Sequence, residues 1–260
     1  MYDYNGKLIL VTGASAGLGA ELARAYRGAG AKLALVARRG EVLEKLAKEL
    51  DDAGQDVRSF PCDLSQPEKV PELVQQVVSA FGRDIDVVVH NAAMSFYGEV
   101  ELTPFEEVRK LFDLNFHAGV HLASTVLGSM KKRGSGQIVW IGSGVSYRGM
   151  PFSAAYSSSK AAARVFCEAL RNELGGTGVD LIHAIPGALK TEFNASQKNY
   201  SQTHDLKTTG APADITDMAA RILEAGRRQR SFPIFGRNAW LGLHLTYWAP
   251  WLLDRLFRVK

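Results

Sequence analysis

The chain has 260 residues, 46% of them hydrophobic, and a formal net charge of +4. This length suits one large α/β domain, and the apolar fraction excludes an intrinsically disordered chain. Two cysteines give no disulfide framework, and the sequence has no basic helix with interleaved aromatic residues. We therefore expect a reducing, cytoplasmic compartment and no nucleic-acid partner.

Short aliphatic runs alternate along the chain with segments of helical periodicity. The runs KLILVTG, AKLALVAR, DVRSFPC, IDVVVHN, QIVWIGS and VDLIHAIPG are typical of strands buried on both faces. Regular alternation of this kind predicts a single-domain, doubly wound parallel sheet of the Rossmann type, with helices on both faces. Ligands of such folds bind at the carboxyl ends of the strands. We place this domain at residues 1–237.

The first predicted strand ends in the glycine-rich turn TGASAGLG. Gly13, Gly17 and Gly19 allow close approach of the backbone, and the following helix offers free N–H groups to a phosphate. Arg38 and Arg39 end the second strand, where a carboxylate would bind the ribose 2′-hydroxyl of NAD. A guanidinium suits a 2′-phosphate instead, so we predict NADP(H). We expect Arg38 to be the main contact and Arg39 to be an exposed charge.

The same turn also fits a second hypothesis. GASAG matches the G-x-S-x-G nucleophile elbow of serine hydrolases, with Ser15 as the nucleophile. A hydrolase leaves Gly19 and the two arginines unexplained, and the six histidines offer weak candidates for its base. We therefore favour nucleotide binding.

Tyr156 and Lys160 stand four residues apart in YSSSK, within a segment of helical periodicity. At this spacing both side chains lie on one face of a helix. Because a neighbouring ammonium favours the phenolate, we expect Lys160 to lower the pKa of Tyr156 towards a range useful for proton transfer. Considered alone, the motif fits a packed tyrosine and a solvated lysine equally well.

With these parts the sequence resembles the short-chain dehydrogenases/reductases, over residues 5–235. The motifs TGASAGLG, CDLS, HNAA, DLNFHAG, IGSG, YSSSK and PGALKT follow one another in the family's order. The resemblance implies an NADP(H) site formed by Gly13, Ser15, Gly17, Leu18, Gly19, Arg38, Asp63, Leu64, Asn91, Tyr156, Lys160, Pro186, Gly187 and Thr191.

The resemblance also implies the reaction, a hydride transfer between a nicotinamide and a carbonyl carbon. Tyr156 is then the general acid or base, and Lys160 lowers its pKa and binds the nicotinamide ribose. Ser143 holds the substrate oxygen, and Asn115 anchors a water that links Lys160 to solvent. The three residues between tyrosine and lysine favour carbonyl chemistry over that of the enoyl reductases, where the two stand further apart.

Two residues depart from the family pattern in HNAA. His90 replaces an asparagine, and we expect a satisfied histidine of the core or strand end; Ala93 replaces a glycine and adds one methyl group. Asp113, His117 and His121 share one helix face, but we expect no metal there.

The substrate is predicted from residues expected at the mouth of the site. An apolar and aromatic lining suits a lipophilic ligand, and the polar segment 188–211 fits either a lid or a loop. The C-terminal third resembles hydroxysteroid dehydrogenases and 3-ketosphinganine reductases more than acyl-carrier-protein ketoreductases, which remain the alternative. The expected lining is Met94, Phe96, Tyr97, Ser146, Tyr147, Met150 and Phe152, together with the segment 188–211.

The remaining expectations concern partners. The apolar tail 238–260 holds three tryptophans, and Pro250 interrupts an apolar run too short to span a bilayer. It suits peripheral membrane contact, a subunit contact or packing at the substrate mouth. By resemblance we expect a homodimer or homotetramer through the helices around 104–133 and 153–175. A non-catalytic NADP-binding protein is disfavoured, because a pure binder has no need of the full Asn–Ser–Tyr–Lys set.

Overall fold

The computed structural model describes residues 1–187, 189, 193, 197–202, 213–235, 246, 248 and 251. Most of the predicted lid and of the C-terminal tail, together with Thr191, lies outside the described residues. The domain boundary at 237 and the roles of the lid and the tail therefore stay predictions. Sedimentation with lipid vesicles would test the membrane contact of the tail, in which Trp248 and Trp251 are exposed.

The described strands and helices alternate as the sequence predicts. The strands are β1 Leu8–Thr12, β2 Lys32–Ala37, β3 Val57–Pro61, β4 Val87–His90, β5 Phe96–Tyr97, β6 Gly136–Ile141, β7 Val179–Ala184 and β8 Lys198–Asn199. The helices are α1 Gly17–Gly28, α2 Gly40–Leu50, α3 Val70–Phe81, α4 Phe105–Phe112, α5 Ala118–Arg133, α6 Ala154–Glu173 and α7 Ile215–Arg227.

Six parallel strands form the central sheet in the order β3-β2-β1-β4-β6-β7. The chain runs outward from β1 to β3 on one side and from β4 to β7 on the other. The strand order therefore reverses between β1 and β4, which opens a crevice at their carboxyl ends. The predicted doubly wound parallel sheet is confirmed.

Both faces of the sheet are covered. In β1, Ile9 and Val11 belong to a core that includes residues of α1, α2 and α7, whereas Leu8 and Leu10 belong to a second core beneath α3, α5 and α6. Successive side chains of a strand point to opposite faces, so an uninterrupted apolar run fills both cores. Among the described residues, no helix combines the length and apolar character needed to cross a membrane.

The predicted helical segment 103–134 is helical from Phe105 to Arg133, with one feature that the sequence does not predict. A π-helical turn over Asp113–His117 lies between α4 and α5. The wider turn inserts one residue into the helical repeat and places Asn115 in the interior, fully buried.

Candidate active site

A cavity of about 630 Å³ lies at the carboxyl ends of the strands on both sides of the reversal point. Its walls come from several places in the fold: the glycine turn, the end of β2, the segments after β3 and β4, the end of β6, helix α6 and the segment after β7. It brings together most of the predicted site residues, namely Gly13, Ser15, Gly17, Leu18, Gly19, Arg38, Asp63, Leu64, Asn91, Ser143, Tyr156, Lys160, Pro186 and Gly187.

The glycine turn is shaped by backbone approach. A Cβ atom at Gly19 would lie 2.1 Å from the carbonyl oxygen of Gly13, and one at Gly13 would lie 2.8 Å from the Asn91 amide nitrogen. Gly13 also has a φ of 66°, which side chains disfavour. Ala16 provides no side-chain cap to α1, and the first turn carries no acidic residue. The start of this helix is therefore suited to an anion.

Hydrogen bonds of polar side chains hold the cavity walls around the glycine turn. The Asn91 amide donates to the carbonyl of Thr12 at 3.0 Å, and the Thr12 hydroxyl accepts from the Asn91 backbone at 2.9 Å. These bonds join the ends of β1 and β4. On the far wall, the Asp63 carboxylate accepts from the Ser65 backbone and hydroxyl.

Arg39 is an exposed charge at the start of α2, as expected, and it also makes contacts that the sequence does not predict. Its guanidinium donates to the Ser15 hydroxyl at 3.1 Å and to the Ser15 carbonyl at 3.3 Å. Both Arg38 and Arg39 line the cavity. A guanidinium fork thus joins the end of β2 to the glycine turn. These bonds also weaken the hydrolase hypothesis, because an arginine cannot serve as the base for Ser15.

Ser143, Tyr156 and Lys160 converge at the other end of the cavity. Ser143 caps the short helical turn after β6, and its side chain hydrogen-bonds with that of Tyr156. Lys160 lies one turn further along α6, with its ammonium 5.9 Å from the centre of the tyrosine ring. The ammonium is buried and donates to the carbonyl of Ile141 at 3.0 Å.

The pKa of Tyr156 is raised in the structure, and not lowered as the sequence predicts. Burial raises the pKa of Tyr156 to about 12, and the hydrogen bond with Ser143 opposes that rise. Burial also lowers the pKa of Lys160 to about 8. Desolvation penalises both the phenolate and the ammonium, and it is the largest cause of both pKa shifts.

Asn115 holds three segments together. Its amide donates to the carbonyl of Met94 at 2.9 Å and to the Ser159 hydroxyl at 3.1 Å, and it accepts from the Met94 backbone at 2.8 Å. Ser159 immediately precedes Lys160. The residue thus ties the π turn to the loop after β4 and to α6, while its predicted role as a water anchor stays a prediction.

His90 is not the satisfied histidine that the sequence suggests. It is buried, its Nε2 atom lies 3.4 Å from the backbone oxygen of Asn115, and its Nδ1 atom has no partner among the described residues. Asp113 and His117 pair with each other at 2.8 Å on the outer side of the π turn. The described residues contain no cluster of three or more potential metal ligands.

The predicted substrate mouth agrees with the cavity in one part only. None of the seven predicted side chains before residue 188 lines the cavity that the described residues form, but Leu189, Phe193 and Gln197 of the predicted segment 188–211 do. Phe96 packs against Tyr200, and Tyr97 packs against Phe152, beside the small sheet of β5 and β8. The apolar wall near Tyr156 comes from Leu114, Ile141, Leu189 and Phe193. Sequence periodicity carries no signal for these residues, because three of them lie in the π turn or in the irregular segment after β7.

The donor set fits a dinucleotide. Paired glycines leave the space that a Cβ would fill, a helix start faces that space, and two guanidinium groups stand beside it. Asp63 and Asn91 complete the walls towards the adenine and nicotinamide ends that the motifs imply. This fold and this site define a dinucleotide-binding α/β protein.

Comparison with known proteins identifies the family. A model of the short chain dehydrogenases matches residues 7–202. A Drosophila melanogaster protein, dehydrogenase/reductase SDR family protein 7-like, is 32% identical over 255 residues, covering 94% of this chain and 77% of that protein. The chain therefore belongs to the short-chain dehydrogenase/reductase family of oxidoreductases.

Two further likenesses bear on cofactor and substrate. The ketoacyl reductase HetN of Nostoc sp. is 35% identical over 187 residues, covering 72% of this chain and 65% of that protein. A solved short-chain dehydrogenase from Sphingobium yanoikuyae, in complex with NADPH, is 26% identical; its TM-score is 0.79, with coverage of 98% of this chain and 97% of that one.

Proposed function

We propose that this protein is an NADP(H)-dependent oxidoreductase that interconverts a carbonyl and a secondary alcohol on a lipophilic substrate. The observation that carries the proposal is the convergence of Ser143, Tyr156 and Lys160 at one end of the cavity whose other end is the glycine turn. A nucleotide and a carbonyl compound can therefore meet beside one proton donor.

The roles follow from what each side chain can donate. A reduced nicotinamide, when bound, supplies the hydride for the carbonyl carbon. Tyr156, whose raised pKa keeps it protonated at neutral pH, donates its proton to the substrate oxygen. Ser143 holds that oxygen and the phenol in one hydrogen-bonded group. Lys160 places a positive charge near the phenolate that forms.

The choice of NADP(H) over NAD(H) is supported by charge at the adenosine end. Family membership does not separate the two cofactors. Arg38 and Arg39 line the cavity where the second strand ends, and Arg39 is already oriented by Ser15. A phosphate on the ribose would meet one or both guanidinium groups, whereas a free hydroxyl would leave them without an anionic partner.

Binding of NADPH and NADH to single variants tests this choice. We expect the wild type to prefer NADPH, and Arg38→Gln or Arg39→Gln to weaken NADPH binding by about 10- to 100-fold, the range for loss of a charge-assisted bond. NADH affinity should change less than about twofold in Arg38→Gln, because the lost bond is to the phosphate. In Arg39→Gln it should fall further, because the bonds from Arg39 to Ser15 of the glycine turn are lost as well. Arg221→Gln on α7, an exposed arginine paired with Asp217, is the matched control. Equal binding of both cofactors by the wild type would refute NADP(H) and leave the family assignment intact.

The lipophilic substrate is supported by Leu114, Leu189 and Phe193, which line the cavity. The centre of the Phe193 ring lies 6.1 Å from that of Tyr156. An aromatic ring at this distance from the proton donor suits an apolar group beside the reacting carbonyl. The likeness to a ketoacyl reductase favours the alternative, an acyl-carrier-protein or small-molecule ketoreductase.

A series of ketones of rising chain length separates the two candidates. For a lipophilic substrate we expect kcat/KM to rise about fourfold for each methylene that becomes buried, from about 0.8 kcal/mol per group. Phe193→Ala should flatten that rise and leave the shortest ketone nearly unaffected. Faster reduction of short β-ketoacyl thioesters, with no dependence on chain length, would favour the alternative.

We also propose a homo-oligomer. Phe105 of α4 and Val165 of α6 are apolar side chains that are 75% and 53% exposed, on the two helices to which the family resemblance assigns subunit contacts. Light scattering of the purified protein would show a dimer or a tetramer, and a monomer would exclude this part of the proposal.

A further inference from the structure

His90 is a buried titratable group that the proposed reaction does not use. It ends β4 with 2% of its surface exposed, and its Nε2 atom faces the backbone oxygen of Asn115 at 3.4 Å. Burial, followed by the charge of Lys160, lowers the pKa of His90 to about 3, so the ring is neutral at physiological pH. A neutral imidazole carries one N–H, and a carbonyl oxygen can only accept. The contact is therefore favourable in one tautomer, with the proton on Nε2.

Packing fixes the plane of this ring. Trp140 is the register neighbour of His90 on β6, and the two rings meet edge to face with centres 4.7 Å apart. On the other side, Gly119 of α5 lies so close that a Cβ there would be 2.7 Å from the ring carbon Cδ2 of His90. The imidazole is packed between strand and helix, which restricts the plane of the ring, and the contact with the Asn115 oxygen favours the orientation with Nε2 towards it.

A histidine at this position has a cost that an apolar residue would avoid. The Nδ1 atom of His90 is buried without a partner among the described residues, as are Nε1 of Trp140 and both ring nitrogens of His183 on β7. These three residues are in register across β4, β6 and β7, so they share one face of the sheet. Buried polar atoms without partners need an explanation beyond packing. The contact from Nε2 of His90 to Asn115 supplies one.

The carbonyl that His90 faces belongs to the π turn. From that turn the Asn115 amide reaches the Ser159 hydroxyl at 3.1 Å, and Ser159 donates in turn to the carbonyl of Tyr156 at 2.9 Å. Lys160 is the next residue on α6. Contacts therefore run without interruption from the imidazole to the helix turn that carries both Tyr156 and Lys160.

We propose that His90 is a positioning residue, whose Nε2–H donates to the Asn115 carbonyl and holds the π turn where its amide can fix the Tyr156–Lys160 turn of α6. The inference rests on the proposed function, because the position of Lys160 matters through the proton transfer from Tyr156.

Two substitutions separate the effect of the Nε2–H donor of His90 from the effect of its side-chain volume. A glutamine can place an amide N–H close to the position of Nε2, whereas a methionine fills similar space with no donor. We therefore compare His90→Gln with His90→Met, with melting temperatures for both. If His90 only fills space, both variants behave alike in turnover.

The kinetic test uses the carbonyl compound that the wild type reduces fastest. We expect His90→Met to lower kcat about tenfold, the scale of a small misplacement of a catalytic group, and His90→Gln to stay within about threefold of the wild type. The Kd for NADPH should change less than about twofold in both variants, because His90 does not line the cavity. Equal kcat for the two variants would overturn the proposal.

Nuclear magnetic resonance gives a readout that needs no turnover. In protein labelled with nitrogen-15 histidine, the signal lost in His90→Gln identifies His90, and we expect a neutral ring with its proton on Nε2. In protein labelled at lysine Cε, the Lys160 signal should move in His90→Met and stay in place in His90→Gln. A proton on Nδ1, or an unmoved Lys160 signal in His90→Met, would refute the positioning role. Absence of turnover by the wild type refutes the proposed function instead.

Discussion

Replacing Tyr156 by phenylalanine is expected to lower turnover by about 10²- to 10⁴-fold, the usual contribution of a positioned general acid. The change removes one oxygen and keeps the ring that packs near Phe193. Ser143 loses its hydrogen-bond partner, but the glycine turn and the arginine pair are untouched. NADPH binding should therefore persist while reduction stops, which oxidation of NADPH and direct binding measure separately.

Tyr147→Phe is the control for this experiment. Tyr147 lies nine residues earlier, outside the cavity walls, with the guanidinium of Arg164 4.8 Å from the centre of its ring. Loss of that hydroxyl should change turnover less than about threefold, since it donates no proton to the substrate. If Tyr156→Phe kept more than a tenth of the wild-type rate, the proton would have to come from another group, and the proposed mechanism would be wrong. A non-catalytic NADP-binding protein would show no turnover in either form.

The pKa values of Tyr156 and Lys160 determine which protonation states are available for carbonyl reduction or alcohol oxidation. Burial raises the pKa of Tyr156 to about 12 and lowers that of Lys160 to about 8. At pH 7 the phenol is protonated and the ammonium is still largely charged. A protonated phenol can give a proton to a carbonyl oxygen at once, whereas alcohol oxidation needs the phenolate. The protonated phenol is thus the form of Tyr156 that the proposed reduction needs at neutral pH.

Much of this fold could be predicted because the relevant signals are local. Strands such as β1 are apolar on both faces, which only a covered parallel sheet accommodates. The glycine turn, the arginine pair and Tyr156–Lys160 all follow strand ends or begin helices, so alternation alone brings them to one edge of the sheet. Their order in the chain then identified the family.

The parts that could not be predicted depend on contacts distant in sequence. The π turn at Asp113–His117 leaves the apolar pattern nearly unchanged, so periodicity predicts one long helix there. Arg39 resembles any exposed charge until the fold brings Ser15 beside it. The sequence places the segment 188–211 at the substrate mouth, but without periodicity there it does not single out Phe193 as the side chain beside Tyr156. The cost of burying Tyr156 and Lys160 depends on their surroundings, which no motif contains.

Replacing Gly19 by alanine is expected to cost both cofactor affinity and stability. Its Cβ would lie 2.1 Å from the Gly13 carbonyl oxygen and 2.6 Å from the Asn91 amide nitrogen. The first is a backbone atom, and the second is held by bonds to Thr12, so neither can move without shifting the turn. Overpacking of this kind costs about 1–3 kcal/mol, and a displaced turn no longer presents its N–H groups to a phosphate.

Gly28→Ala in the same helix separates this effect from a general intolerance of α1. A Cβ at Gly28 would meet no atom within 4 Å, and alanine favours a helix over glycine by about 0.5–1 kcal/mol. We expect Gly28→Ala to bind NADPH like the wild type and to melt no lower. Gly19→Ala should bind NADPH at least about tenfold more weakly, since a turn moved by a few tenths of an ångström loses phosphate contacts. If Gly19→Ala stays folded by circular dichroism and binds NADPH normally, the cofactor does not approach the backbone at this turn, and the nucleotide site must lie elsewhere.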